Sequence, residues 1–469
     1  MKRFIKLASM VLAGTLLALS CACSGGSGGK REVKFEFLRA GFGTEGYQAL
    51  ADAYMEEHPE VKIKLVPNVN VNSSTSTKLE SGKNLSDVYI VSSLADIRRW
   101  AVKGWVEDIT DVYETPVNGE ATLKDSLEGA AQTAGEYNGK YYSVPEYISV
   151  NGFVYNAGMF ELYGWEIPKT TKDLQTLCEK IISDTKGTVS PFVYSGKSAQ
   201  GYLGYMLNAW WAQYEGKDNL DAFYSFSSPE VFNPEKSLGK KYSMQKLYDF
   251  FFGNNGRYCM NGCMNKDHMD AQTDFLQGKA AMVPNGSWFA TEMQELLVDL
   301  PDFRLGMFYP PTLSDEAGNA IRADYEDENG KPIAMAEIGA SYFIPAAAAN
   351  KEDAKDFLLF CQRYSSCELV TKNNNMVRPL KYNKDPSSAT YSNLSEFGKS
   401  ILSIGNDYFI YTPNSKAAIA LSGLIAVWPQ GGAWTFKMYE NPERYTADYC
   451  LESDYEYVKS NWDYWMKNI

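Results

Sequence analysis

The sequence predicts an α/β fold built as two domains, and three observations lead there. The stretch "VKFEFLRAGFGTEGYQALADAYMEEHPEVKIKLVP" reads strand, helix, strand: Val33, Phe35 and Phe37 alternate with polar neighbours, and a helical pattern from Glu45 to Glu57 ends before Pro59. The stretch "SDVYIVSSLADIRRWAVKGWVEDIT" repeats that order, with an apolar strand Val88 to Val91, a turn at Ser92 and Ser93, and a helix from Leu94 to near Gly104. Strands alternating with helices imply a parallel sheet, with ligands bound outside the carboxyl ends of its strands. The third observation is length: of 469 residues, about 440 remain beyond the leader, more than one hydrophobic core accommodates.

The leader is read from its charges and its brevity. Lys2, Arg3 and Lys6 precede an apolar run, Leu7 to Leu19, too short and wrongly flanked for a spanning helix, as in a secretory signal. Small residues then lead to Cys21 and Cys23 in "LALSCACSGGSGG". This resembles the lipobox of bacterial lipoproteins, with Cys23 the better site for the lipid because Ala22 precedes it, and Cys21 the alternative. An ordinary secreted protein with an incidental cysteine pair is the other reading. The expectation is a leader at 1–22, a flexible Gly/Ser tether at 23–30, and an extracytoplasmic body held to the cell membrane by a lipid.

Charge narrows the partners. The chain has 45 Lys and Arg against 58 Asp and Glu, a net charge of -13 that becomes -16 without the leader's three cations. No Lys/Arg cluster is present to neutralise phosphates, which excludes nucleic acid as a partner. No second apolar run approaches 18 residues, so the expected membrane attachment rests on the lipid. Beyond the lipobox lie Cys178, Cys259, Cys263, Cys361, Cys367 and Cys450. Cys259 and Cys263 bracket Asn261-Gly262 near His268, but tetrahedral zinc wants four ligands, so a small-loop disulfide or two free thiols is expected, with no metal and no cofactor.

The middle of the chain holds the crossing between domains. Asn138-Gly139 signals a hairpin, followed by an extended passage around Pro145, a strand near Gly152 to Tyr155, and a capped helix start after Pro168. The first crossing is placed at Tyr147 to Val150. Ser198 to Phe252 reads as helical and aromatic, including Trp210 and Trp211, until Asn254-Asn255-Gly256 breaks it. In "FLQGKAAMVPNGSW" a helix ends at Gly278, a strand follows, and Gly286-Ser287 presents Trp288 at a turn. A strand at Phe303 to Phe308 precedes a polar loop whose "DYEDENGK" lacks the oxygen spacing of a calcium loop. The stretch "AEIGASYFIPAAAANKEDAKDFLLFCQRY" is strand, turn and helix, the last starting at Asn350 and Asp353, and the remainder reads mostly as helices separated by prolines.

Taken in order, "SDVYIVSS" with "KGWVEDIT", "NGKYYSVPE" with "VYNAGMFELYGWEIPKTTKDL", "FLQGKAAMVPNGSW", and "IGASYFIPAAAANKEDAKDFLLF", after the lipobox, carry a family likeness. The chain resembles the extracellular solute-binding proteins of ABC importers, in the carbohydrate-binding group similar to maltose-binding protein. The resemblance implies two α/β lobes, each a mostly parallel sheet flanked by helices, joined by hinge strands around a cleft. It places lobe 1 at 31–146 plus 338–376 and lobe 2 at 150–335 plus 380–469. It further implies a monomer that captures a carbohydrate ligand, an oligosaccharide in particular, and delivers it to ABC permease subunits without catalysis. A secreted glycosidase is the rival outside the binding class, needing two placed carboxylates, and a peptide is the rival ligand within it.

The same resemblance suggests the site. Trp288 matches the family's aromatic that stacks on the solute, with a core tryptophan as the alternative. Arg39, Phe42 and Thr44 on the first strand-to-helix loop, and Ser92 and Ser93 on the next, lie at carboxyl strand ends; turn or capping roles are their alternatives. Glu146, Tyr147 and Ser149 sit at the first crossing, where Glu146 could accept sugar hydroxyls or be a solvated or salt-bridged carboxylate, and Tyr411 is a candidate second platform. Sugars offer apolar ring faces rimmed by hydroxyls, so flat aromatics with short polar side chains suit them, and a chain with 32 Tyr can supply both. Trp210 and Trp211 are expected in the core.

Overall fold

The computed structural model describes residues 30–39, 41–198, 201–236, 238–323, 330–413, 437–438 and 440–467. The leader, the lipobox cysteines and most of the tether lie outside the described residues, as does the acidic stretch at 324–329. Nine strands form the main sheet: β1 Arg31–Phe37, β2 Val61–Pro67, β3 Val88–Val91, β4 Val144–Asn156, β5 Ser190–Phe192, β6 Ala280–Gly286, β7 Leu305–Phe308, β8 Ile333–Phe343 and β9 Phe409–Tyr411. The principal helices are α1 Glu45–Glu57, α2 Val71–Ser81, α3 Leu94–Val102, α4 Thr171–Asp184, α5 Gly201–Tyr224, α6 Leu238–Phe251, α7 His268–Leu276, α8 Lys351–Cys361, α9 Tyr364–Asn374, α10 Glu396–Asp407 and α11 Ala447–Met466.

The strand order is β2-β1-β3-β8-β4-β6-β5, with β7 also on β4 and β9 on β8. β1 runs parallel to β2 and β3, as the alternation of strand and helix requires. Around them the sheet is mixed: β8 is antiparallel to both β3 and β4, and β4 is antiparallel to β6 and β7, while β6 and β5 are parallel. One strand serves both halves. β4 pairs with β8 through Val144 to Val150, then with β6 from Asn151 and with β7 from Phe153.

Two large cores lie on either side of that change of partner. The first gathers Phe35, Phe37, Leu50, Tyr54 and Phe357, from β1, α1 and α8. The second gathers Phe153, Leu177, Trp210, Phe275 and Met282, from β4 to β6 and the helices around them. The fold is two-lobed α/β. Trp210 and Trp211 are both fully buried, as expected, but in different cores, because neighbouring helical residues point about 100° apart. The Trp210 indole donates to the Pro311 carbonyl at 2.9 Å, so its burial leaves no lost hydrogen bond.

Local signals govern the structure in places. α4 begins with a complete capping box between Thr170 and Asp173, and Asn138-Gly139 turns a small hairpin. Elsewhere tertiary packing overrode them. Residues 253–256 add a further helical turn where a break was expected, and Gly256, at φ +66°, ends it. Phe409–Tyr411 is a strand, not part of a helical remainder, because it finds a parallel partner in β8. The cysteines outside the lipobox are free thiols, all buried except the half-buried Cys259, so neither a disulfide nor a reactive surface thiol arises at Cys259 and Cys263.

Candidate functional site

A cavity of about 270 Å³ opens at the carboxyl ends of β1 and β3. Phe42 enters it from the loop after β1, Ser92 from the end of β3, Glu146 and Tyr147 from β4, and Trp288 from the turn after β6. Ser149 lies beside it, in a smaller polar enclave that shares Tyr205 with the cavity. These predicted residues are brought together by the sheet order, since β1, β3 and β4 are near neighbours only through β8.

The other predicted residues are placed elsewhere. Arg39 is exposed and off the cavity wall, its backbone N–H donating to Asn68. Thr44 and Ser93 start helices instead: Thr44 accepts the first α1 bond from Gln48 through its carbonyl, and the Ser93 hydroxyl caps α3 by accepting from Asp96 N at 3.1 Å. Tyr411 is a core residue, lying beside Tyr224 with its hydroxyl donating to Asp221 at 2.9 Å. Its strand pairing with β8 draws it inward, so it is no platform.

Tyr202 and Tyr205 are cavity residues that the sequence reading passed over. They stand one turn apart at the start of α5, ring centroids 5.6 Å from each other, and their i, i+3 spacing in "GYLGYM" was the available signal. Both approach Trp288, at 5.9 and 6.3 Å. Glu292, one helical turn beyond Trp288, also lines the cavity and accepts from Gln272 at 3.0 Å.

The position of Trp288 depends on a missing side chain. A Cβ on Gly286 would lie 2.3 Å from the Trp288 ring and 2.6 Å from Asn151 Oδ1, so only glycine lets the indole fold back over the end of β6. From there it meets Phe42 edge-on, with centroids 6.3 Å apart, and packs against the first core although β6 belongs to the second. Tyr147 is seated in the same way, its ring occupying the place of a Cβ on Gly339. Gly286→Ala is expected to displace the indole and weaken solute binding about tenfold, measurable by calorimetry.

Glu146 is fully buried on the cavity wall. Burial pushes its carboxyl up to about 7, although the Arg378 charge and the Tyr47 and Tyr342 hydroxyls pull it down. Tyr342 donates to Glu146 Oε1 at 3.4 Å, and Arg378 reaches Tyr342 at 3.3 Å and Gln362 at 3.0 Å, while Oε2 has no partner. A carboxyl raised in the folded state holds its proton there between pH 4.5 and about 7 after the unfolded chain has lost it. Its stabilising contribution is therefore full below pH 4.5 and is lost as pH rises through about 7, a change of about 3 kcal/mol. Glu146→Gln is expected to flatten that fall in stability, read from urea denaturation at pH 5 and pH 8.

A larger cavity, about 380 Å³, lies where Ile148 and Val150 point, with Val377, Ile401 and Leu402. Its walls are mainly aliphatic, with Phe409 the aromatic among its described lining, whereas five aromatics besides Tyr47 line the smaller cavity.

Comparison with known proteins bears on the family and the fold. The family model for bacterial extracellular solute-binding protein matches residues 43–363. The chain belongs to that family. This solute-binding protein is 24% identical over 304 residues to a multiple sugar-binding protein of Streptococcus mutans, covering 64% of the chain and 67% of the relative. It is 25% identical over 274 residues to a maltotriose-binding protein of Pyrococcus abyssi, covering 57% and 51%, so the matched region spans two thirds and half of these relatives. Among solved structures it resembles SBP RafE in complex with raffinose, with a TM-score of 0.61, 17% identity, and coverage of 91% of this chain and all of that one. At that identity the likeness is one of fold, and the fold is that of two-lobed solute-binding proteins.

Proposed function

We propose that this solute-binding protein captures a sugar, an oligosaccharide in particular, in the aromatic cleft and presents it to the permease of an ABC importer. The observation that carries the reading is the ring of plates around one cavity. Phe42 comes from the first half and Tyr147 from the shared strand, facing Tyr202, Tyr205 and Trp288 from the second. Flat apolar faces with carboxylates and hydroxyls between them match a pyranose, whose faces are apolar and whose rim donates and accepts hydrogen bonds. The relatives' names, a multiple sugar-binding and a maltotriose-binding protein, support the same class.

In this reading lobe 1 is 31–146 plus 338–376 and lobe 2 is 150–335 plus 380–469, except that Leu380 and Tyr382 pack in the first core, so the final crossing is moved from 380 to beyond Tyr382. Closure of the lobes on the solute supplies the signal to the permease, since a ligand stabilises whichever state it contacts more. A lipid on Cys23, or on Cys21, would hold the monomer near the permease. A thermal-shift panel of mono- and oligosaccharides tests the reading: a cognate sugar at a hundred times its Kd adds about 2.7 kcal/mol of stability. No shift with any saccharide would overturn it.

A further inference from the structure

The charge lining the cleft is all of one sign. Among the described residues the charged groups on the cavity wall are Glu146 and Glu292, with no lysine or arginine. The enclave that shares Tyr205 with the cavity adds Glu337. Glu337 stands on β8 directly opposite Ser149 on β4, so both side chains project from the same face of the paired strands.

Glu337 is held in unusual company for a carboxylate. Tyr147, Tyr205, Tyr224 and Tyr309 all lie within electrostatic reach of it. Although Glu337 keeps some exposure, desolvation raises its carboxyl above the ordinary range, and no cation among the described residues opposes that. The nearby Asn208 Oδ1 is buried without a partner, and Asn151 Oδ1 is taken by the Ser149 hydroxyl at 2.7 Å. Among the described residues the enclave is thus rich in acceptors and holds no cation, and its volume of about 10 Å³ admits one group the size of a water.

An ammonium fits that description better than a hydroxyl. It is water-sized, brings three donors for the carboxylate and amide oxygens, supplies the charge that the half-buried Glu337 carboxylate does not meet among the described residues, and is favoured by aromatic faces. An acidic sugar would bring a like charge to Glu146, Glu292 and Glu337 and be rejected. We propose that the cleft selects an amine-bearing saccharide, with its ammonium seated in the enclave against Glu337. This inference rests on the sugar-binding reading above and names the class of sugar.

Matched sugars that differ only in charge test it. Glucosamine against glucose, galactosamine against galactose, and β-1,4-linked glucosamine oligomers against β-1,4-glucose oligomers would be titrated calorimetrically at pH 6, with the glucuronate forms as the anionic arm. The expected result is that at least one amine form binds tenfold or more tighter than its neutral partner. Glu337→Gln should bring that ratio to about one, with the neutral form titrated beside the amine form as the reference. Equal binding of neutral and amine forms by the native protein would overturn the inference and leave the sugar reading standing. So would a Glu337→Gln variant that weakens both forms alike. Absence of binding by every saccharide would overturn both. The native comparison needs no variant, so poor folding of Glu337→Gln would not protect the inference.

Discussion

Trp288→Ala is expected to weaken sugar binding by roughly 30- to 150-fold while the protein stays folded. One indole face lost to the solute is worth about 2 to 3 kcal/mol from apolar burial and stacking together. The fold should tolerate the change because Trp288 is only half-buried and lies outside the strand it follows. Calorimetry with the sugar found in the thermal-shift panel measures the first effect, and a melting curve of the unliganded variant measures the second. An unchanged Kd would remove Trp288 from the site; a collapsed melting temperature would make it a packing residue. Gly286→Ala provides the companion test, since it keeps the indole and disturbs only its seat.

Arg378→Met is expected to cost about 3 to 5 kcal/mol of stability, the scale seen when one member of a buried ionic group is removed. Arg378 is fully buried and follows the segment where Val377 accepts a backbone bond from Ile148 at 3.0 Å, next to the point where β4 changes partner. Its charge faces Glu146, and without it nothing charged would oppose burial of that carboxylate. The loss should therefore be larger at pH 8, where Glu146 is ionised, than at pH 5, where it holds its proton. Urea denaturation at both pH values measures this, and an equal loss at the two would show that Arg378 acts by packing rather than by charge. Because Glu146 lines the cleft, the variant should also weaken solute binding at pH 8.

The first half of the chain was legible in sequence because its signals are local. Val33, Phe35 and Phe37 alternate, α1 ends before Pro59, and Thr170 with Asp173 closes a capping box, each within a few residues. Trp288 was legible for a related reason: the Gly-Ser-Trp that follows an apolar strand marks a turn as well as an aromatic. Thr44 and Ser93 misled because the residues that end a strand at a sheet's carboxyl edge are also those that start the next helix. Both jobs call for the same short polar side chains. The Ser93 side chain caps its helix, Thr44 joins the first turn of α1 through its backbone alone, and the cavity took Phe42 and Ser92.

Some of the site has no local signature. Tyr202 and Tyr205 reach Trp288 only because α5 packs its first turn over the end of β6, some 80 residues further along. Glu337 faces Ser149 only through the register of β8 on β4. Tyr411 reads as an available aromatic until β9 pairs with β8 and buries it. By itself the sequence determined the periods, caps and turns, and with them the α/β class and the loops that could bind. Which of those loops share a cavity, and the charge within it, were decided only by the tertiary structure. Strand order and register are long-range contacts, set by how whole faces bury against one another, and no window of a few residues contains them.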